Sequence, residues 1–447
     1  MSNEQQTADT HSEAAIPGLV KVYVWLVMLL LPIDWFAPTG ELFKEFGAKP
    51  ATLLLTVGGS CGIAFLRVRR TAGNSMEFTT LLVFAAWLSL GYLAACGNFL
   101  VGWSDWHSDR NPFTQLVTQS ALVVVCAIAV IGNARLMGAF PVATLAARYL
   151  PIAVVLHLIV FGLDATGLVN TGAPPLVFFR AVEPHEVHRP TGLFSEPSYF
   201  GTFAALYGSA LFVLPARALR KVLYVLLAFG LFAASILIGA KTFVVVAGAQ
   251  AMYFVVRNTR SLGSAIAGIG ILVVVGAAAI YFIVAYSTLD VRENLSSADR
   301  LGSALLAANV AGHGYALPGI GFGQFHFFYR ARFAPDFLYL SKEASLQLNP
   351  DAVNRASTYN FYLRVLLETG LAGFLLFVGA MKRLWSVHLD RGMAFVAVVF
   401  AGSLGWYMTQ DTYFYPPLVF SSALILSVLE ARRVAVAGQA PAGLPAT

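Results

Sequence analysis

Charge is the scarcest property of this sequence. Only 12% of its 447 residues are Asp, Glu, Lys or Arg, about half the share of an ordinary soluble domain. So few charges exclude a soluble globular surface of ordinary extent. Cysteine is scarce too. Cys61, Cys96 and Cys126 all fall in apolar stretches, so neither a disulfide framework nor a metal-ligand spacing follows. No paired-Asp motif marks a metal site, and the phosphate loop of nucleotide-hydrolysing enzymes is missing, since no Gly-Lys-Ser/Thr occurs where it would be needed. Residues 2–15 are polar and lack a basic leader region, so a cleavable signal peptide is not expected. No internal repeat is visible. The net charge of +6 has no basic, aromatic-interleaved soluble face to sit on, which argues against nucleic acid as a partner.

What the sequence has in quantity is apolar runs; 58% of the residues are hydrophobic. A helix needs about 20 largely apolar residues to cross the hydrocarbon core. The runs predict an all-α, polytopic integral membrane protein with about twelve spans. They lie near 19–37, 47–66, 77–97, 115–132, 145–163, 194–214, 222–240, 242–256, 263–285, 357–380, 393–410 and 415–431. Arg67, Arg69 and Arg70 follow span two, and Arg217, Arg220 and Lys221 follow span six. Arg257 and Arg260 follow span eight, Lys382, Arg383 and Arg391 span ten, and Arg432 and Arg433 span twelve. All fall on one side when the N-terminus is cytoplasmic, as the positive-inside rule requires. The expected organisation is a cytoplasmic tail over 1–18, a membrane domain over 19–432 and a second tail over 433–447.

Two outer loops are long, 164–192 and 286–356, and hold most of the remaining charges. Long loops translocate regardless of charge, so a solvated surface is one reading of their arginines and an anion site is the other. Of the cations at or inside a span, three are the hardest to dismiss: Arg189 before span six, Lys241 at the turn between spans seven and eight, and Arg364 inside span ten. Ionisable groups there are costly and usually face a cavity. Lys241 has the plain alternative of snorkelling. Arg364 has Glu368 four residues on, which predicts a structural ion pair. In the second loop, 299–310 carries apolar residues at helical spacing, suggesting an amphipathic helix. Gly312-His-Gly-Tyr and Pro318-Gly-Ile-Gly-Phe-Gly-Gln-Phe follow, and their glycines permit tight backbone and close approach to a ligand.

Three stretches together resemble the O-antigen polymerase and ligase superfamily of bacterial inner-membrane glycosyltransferases. They are His188-Arg-Pro-Thr-Gly-Leu-Phe-Ser-Glu-Pro-Ser-Tyr-Phe-Gly, Arg300 with Gly319-Ile-Gly-Phe-Gly-Gln-Phe, and Tyr359-Asn-Phe-Tyr-Leu-Arg-Val-Leu-Leu-Glu-Thr-Gly-Leu-Ala-Gly. The likeness covers residues 180–380 and elsewhere rests on hydropathy. It implies transfer of a glycan from a polyprenyl diphosphate to an acceptor hydroxyl at the outer face of the inner membrane. The family pattern has Arg at the position of Arg189 and at that of Lys241. Ligases commonly have His-Asn where Tyr359-Asn360 stands, and that departure, with Phe194-Ser-Glu-Pro-Ser, favours a polymerase over a ligase acting on lipid A-core or protein. The implied partners are the lipid-linked glycan, membrane lipid, a chain-length regulator and a flippase. No cofactor is expected.

The chemistry assigns roles beside the likeness. Cations aimed at a departing diphosphate stabilise its growing charge, and the planar fork of Arg suits phosphate oxygens. Arg189, Lys241 and Arg300 are the expected clamp, with Arg180 in reserve. Glu196, His313 and Tyr359 are the candidates for activating the acceptor hydroxyl. Each has a structural alternative: a helix-start carboxylate for Glu196, a solvated loop residue for His313, and an interfacial anchor for Tyr359 with Asn360. A single in-line displacement without metal would invert the anomeric carbon. A secondary transporter is the competing class; it calls for midplane charges, discontinuous helices and an internal repeat. A non-catalytic lipid-binding scaffold is the third reading.

Overall fold

The computed structural model describes residues 16–38, 49–66, 76–100, 111–168, 190–258, 307–325 and 358–439. Every regular element among them is helical, and no strand occurs there. In chain order the main helices are α1 (Gly18–Leu30), α2 (Pro50–Phe65), α3 (Met76–Leu100), α4 (Pro112–Ala139), α5 (Val142–Ala165), α6 (Pro197–Val213), α7 (Ala218–Leu237), α8 (Lys241–Asn258), α9 (Phe361–Trp385), α10 (Ala394–Trp406) and α11 (Pro416–Gln439). These helices lie over eleven of the twelve segments expected as spans, and the ninth segment, 263–285, lies outside the described residues. Five of them, α3, α4, α5, α7 and α9, are long and apolar enough to cross a membrane. The C-terminal helix runs on to Gln439, past the expected start of the tail at 433.

Proline sets several of the starts. Pro50, Pro112 and Pro197 stand in the first turn of α2, α4 and α6, where the missing N–H would have no intrahelical partner and the fixed φ already suits a helix. Asn111 adds a side-chain cap to α4, accepting from the Phe113 N–H at 2.8 Å.

Small residues let the helices approach closely, as apolar solvent around a bundle demands. At the α2–α4 crossing, a Cβ on Gly132 would lie 1.8 Å from the Gly59 carbonyl oxygen, and one on Gly62 would lie 2.1 Å from the Gly132 oxygen. Asn133, wholly buried, fixes the crossing. It donates to the Leu55 and Ala129 carbonyls, both at 2.7 Å, and accepts from Tyr23. Gln250 does the same for α6, α8 and α10, accepting from Ser209 at 2.8 Å and donating to the Val398 carbonyl at 3.2 Å. Helix α10 lies buried among α6, α8 and α11. Helices α3 and α7 instead expose Leu81, Leu82, Leu93, Leu226, Phe229 and Leu237, which suits a lipid-facing rim.

Helix α9, over the tenth span expected at 357–380, is broken. Gly370 sits at φ 68°, ψ −178°, and divides the helix into arms 361–369 and 371–385. Sixteen residues of straight helix would separate Phe361 from Phe377 by about 24 Å. Their ring centres are instead 5.5 Å apart, so the arms form a V. The glycine-rich segment fills its apex. Ile320 and Gly321 donate to the Leu367 and Glu368 carbonyls at 2.7 and 3.0 Å, and Leu371 donates to the Leu317 carbonyl at 3.4 Å. Backbone groups freed by a break inside a membrane must find partners within the protein, and here another piece of the same chain supplies them.

Candidate functional site

The end of the bundle where α6 begins carries the densest set of fixed polar groups. Two carboxylates hold the segment leading into it. Asp164, at the end of α5, accepts from the Thr191 and Gly192 amides at 2.8 and 2.9 Å. Asp34, after α1, accepts from the Ser195 amide at 3.1 Å and from the Ser195 hydroxyl. Gly192 takes a φ of +62°, which a side chain would resist. Thr191 donates to the Phe194 carbonyl at 2.8 Å, and the Phe194 ring is buried against His157, Phe200 and Phe203. The turn is therefore rigid, and Glu196 leaves it at the N-terminus of α6 with an exposed carboxylate. That carboxylate caps no backbone amide; it accepts from the Ser198 hydroxyl at 3.0 Å. It therefore gains only the general dipole advantage of a helix start.

Lys241 is brought to the same end. It opens α8, and its neighbour Thr242 donates to the Ser198 carbonyl of α6. Gly201 permits the approach: a Cβ there would lie 2.6 Å from that of Ala240. Lys241 is half-buried. Of the other expected clamp residues, Arg180, Arg189 and Arg300 lie outside the described residues, although Arg189 directly precedes the fixed turn at Pro190.

Tyr359 lies where α9 docks on the turn between α10 and α11. Thr358 donates to Asp411 from its amide (3.0 Å) and hydroxyl (3.2 Å). Asn360 caps α9 by accepting from the Leu363 amide at 3.1 Å, and the Phe361 amide donates to the Tyr407 carbonyl at 2.9 Å. Between these anchors Tyr359 is held at φ 47°, the one positive φ outside glycine among the described residues. Such a conformation costs of order 1–3 kcal/mol and persists only where flanking contacts over-determine it. His313 sits elsewhere, in a tight turn at Ala311–Tyr315, exposed, its Nδ1 donating to the Asn309 carbonyl at 2.8 Å. It adjoins the segment plugging α9.

Three functional candidates escape a reading of the sequence. Asp34 and Lys49 line one small cavity with Tyr199, Thr202, Trp406 and Tyr415. The Lys49 ammonium stands 4.9 Å from the Trp406 ring centre and 5.7 Å from that of Tyr415, a cation–π arrangement. Lys49 thus stands in the same cavity as Asp34, which fixes the turn before Glu196. Asp34 and Lys49 stand inside expected spans one and two, and the cost of a charge there was the available signal. Asp411 gave none.

Arg364 and Glu368 form the ion pair expected from their spacing, at 3.1 Å. Arg364 also donates to Gln119 at 2.8 Å and to the Asp411 carbonyl, and its guanidinium lies 4.4 Å from the Tyr413 ring centre. The Tyr413 hydroxyl donates to Glu368. The glycine run is accounted for in the same region. A Cβ on Gly321 would lie 2.5 Å from that of Ala95, and one on Gly319 would lie 2.6 Å from the Gly370 nitrogen, so its close approach is to the protein itself. Among the described residues no cluster of three or more His, Cys, Asp or Glu is placed to hold a metal ion. No protein-family model matches this chain, and no curated protein matches it.

Proposed function

We propose that the chain is a membrane glycosyltransferase that polymerises a polyprenyl-diphosphate-linked glycan at the outer face of a bacterial inner membrane. The observation that carries this reading is the meeting of the α6 and α8 N-termini through Ser198 and Thr242. It sets Lys241 beside the rigid turn that presents Glu196 and that begins directly after Arg189. In this reading Lys241, Arg189 and Arg300, with Arg180 in reserve, hold the donor diphosphate. The acceptor hydroxyl of another lipid-linked unit attacks the anomeric carbon from the opposite side. The bond to the diphosphate breaks with its electron pair, which the cations stabilise. The hydroxyl proton passes to Glu196, whose exposed carboxylate is free to take it. Tyr359 positions the acceptor from the other side, and inversion follows from one displacement.

A transporter reading draws on the broken α9 and its buried Arg364–Glu368 pair, two of the marks that class requires. Against it, the Leu367 and Glu368 carbonyls and the Leu371 amide at the break are taken by Ile320, Gly321 and Leu317, so these three groups are not open to a transported ion.

The test incubates purified protein with a defined lipid-linked repeat unit, with and without lipid A-core. A ladder of lipid-linked oligomers supports the polymerase; product only when lipid A-core is present points to a ligase; no product with either overturns glycosyl transfer. Removing one group that stabilises transition-state charge typically slows a reaction by about 10²–10³-fold. Lys241→Ala, Arg189→Ala and Arg300→Ala are each expected to fall in that range. Full activity in all three refutes the clamp. The ladder should persist in excess chelator, and its loss there, reversed by a divalent cation, overturns a metal-independent reaction.

A further inference from the structure

At the opposite end of the bundle two hollows adjoin. One, of about 540 Å³, is walled by the start of α3, the end of α4 and the end of α11, and includes Glu77, Thr80, Arg135, Ser427 and Glu430. The other, of about 500 Å³, is an apolar groove on the outer faces of α3 and α4, including Phe78, Leu81, Ala85, Leu88, Val124 and Ile128. They share Glu77, Ile131 and Arg135. A chamber that holds Glu77, Arg135 and Glu430 thus opens into an apolar channel at one ion pair.

Hydrogen-bond capacity remains in the chamber. Arg135 donates from Nε to both Glu77 oxygens at 3.0 Å and from one terminal nitrogen to the Ile63 carbonyl at 3.2 Å, while its other terminal nitrogen stands 3.0 Å from a Glu77 oxygen. A guanidinium has five N–H groups; with the ion-pair contact counted, three are engaged by the described residues, which leaves one on each terminal nitrogen. Glu430 accepts from the Met76 amide through Oε2 at 3.1 Å, and its Oε1 accepts nothing from the described residues. The chamber therefore offers a forked donor for a phosphate and an open carboxylate oxygen for an ammonium. From Glu77 to Leu88 the groove follows α3 for about 16 Å, roughly half the ~30 Å hydrocarbon core. That is the reach of one acyl chain in one leaflet.

We infer that this paired chamber and groove bind a single membrane phospholipid with an ethanolamine headgroup. Its phosphate takes the two remaining N–H groups of Arg135, its ammonium donates to Glu430, and an acyl chain lies along α3 and α4. The specificity follows from the carboxylate. The trimethylated nitrogen of choline has no N–H to donate, and a glycerol headgroup has no positive charge. The inference is independent of the proposed transferase activity.

The test is native mass spectrometry of the full-length protein in detergent, titrated with phosphatidylethanolamine, phosphatidylcholine and phosphatidylglycerol of matched chains. One phosphatidylethanolamine should be retained per chain, at least about tenfold more tightly than the other two. Glu430→Gln keeps an acceptor for the Met76 amide and removes the charge; it should abolish the preference for ethanolamine while leaving phosphatidylglycerol binding unchanged. Arg135→Lys keeps a charge opposite Glu77 and removes the fork; it should weaken all three lipids. An unchanged melting temperature in lipid-free detergent shows that each variant is folded. Equal retention of the three lipids by the wild type overturns the inference, as does an ethanolamine preference that survives Glu430→Gln.

Discussion

Arg364→Ala should lower the free energy of unfolding by about 3–5 kcal/mol, the usual result of removing one member of a buried ion pair. Arg364 is 3% exposed and Glu368 is 1%, so neither charge has much water to fall back on. The guanidinium reaches Glu368, Gln119, the Asp411 carbonyl and the face of Tyr413, with the Asp411 carboxylate 3.9 Å away. These belong to α9, α4 and the turn between α10 and α11, so its loss frees three parts of the bundle together. The variant also strands the Glu368 carboxylate with the Tyr413 hydroxyl as its remaining donor among the described residues. The double variant Arg364→Ala/Glu368→Gln isolates that contribution, because Gln removes the charge and still accepts from Tyr413. It should regain at least half of the loss. Unfolding in mixed micelles of increasing SDS content measures both. A single variant that unfolds at the wild-type midpoint shows the network to be dispensable. A double variant no better than the single shows that stranded charge is not the cause.

The membrane character of the chain was legible because hydropathy is a property of whole segments: runs of about 20 apolar residues have few alternatives to helix. The Arg364–Glu368 pair was legible because helical geometry alone places i and i+4 together. Asp411 and Gln119, which complete that network, lie far off in sequence, and nothing local announces them. The glycine run at 319–323 was conspicuous, yet its reason was hidden. Three positive φ values and contacts with the backbones of Ala95, Gln115 and Gly370 show backbone packed against backbone, and a partner that is another part of the chain leaves no mark on the run itself. At the candidate site, Glu196 and Lys241 were picked out by their position at span edges. The carboxylates that fix the turn, Asp34 and Asp164, are single residues in apolar or loop surroundings, and their role appears only with the fold.

Gly370→Ala should dismantle the joint between α9 and the segment 317–321. The backbone at Gly370, φ 68° and ψ −178°, lies in a region open essentially to glycine alone, where another residue costs of order 1–3 kcal/mol. Space is the second obstacle. A Cβ would lie 2.5 Å from the Leu317 carbonyl oxygen and 2.9 Å from the Pro318 carbonyl carbon, both backbone atoms without a flexible end to swing away. Relief requires either that the V open or that the inserted segment withdraw. Each route breaks the bonds from Ile320 and Gly321 to the Leu367 and Glu368 carbonyls and exposes Phe322, which is fully buried and packs its ring against Trp87 and Tyr413. Hydrogen exchange reads this directly. The Ile320 and Gly321 amides should be protected in the wild type and exchange at least about tenfold faster in the variant. Gly379→Ala is the matched control, on the same helix with nothing within 4 Å of its added Cβ, and should leave both amides unchanged. Retained protection in Gly370→Ala means that the chain passes this point without needing glycine, and the plugged break is then not what holds the two arms of α9 together.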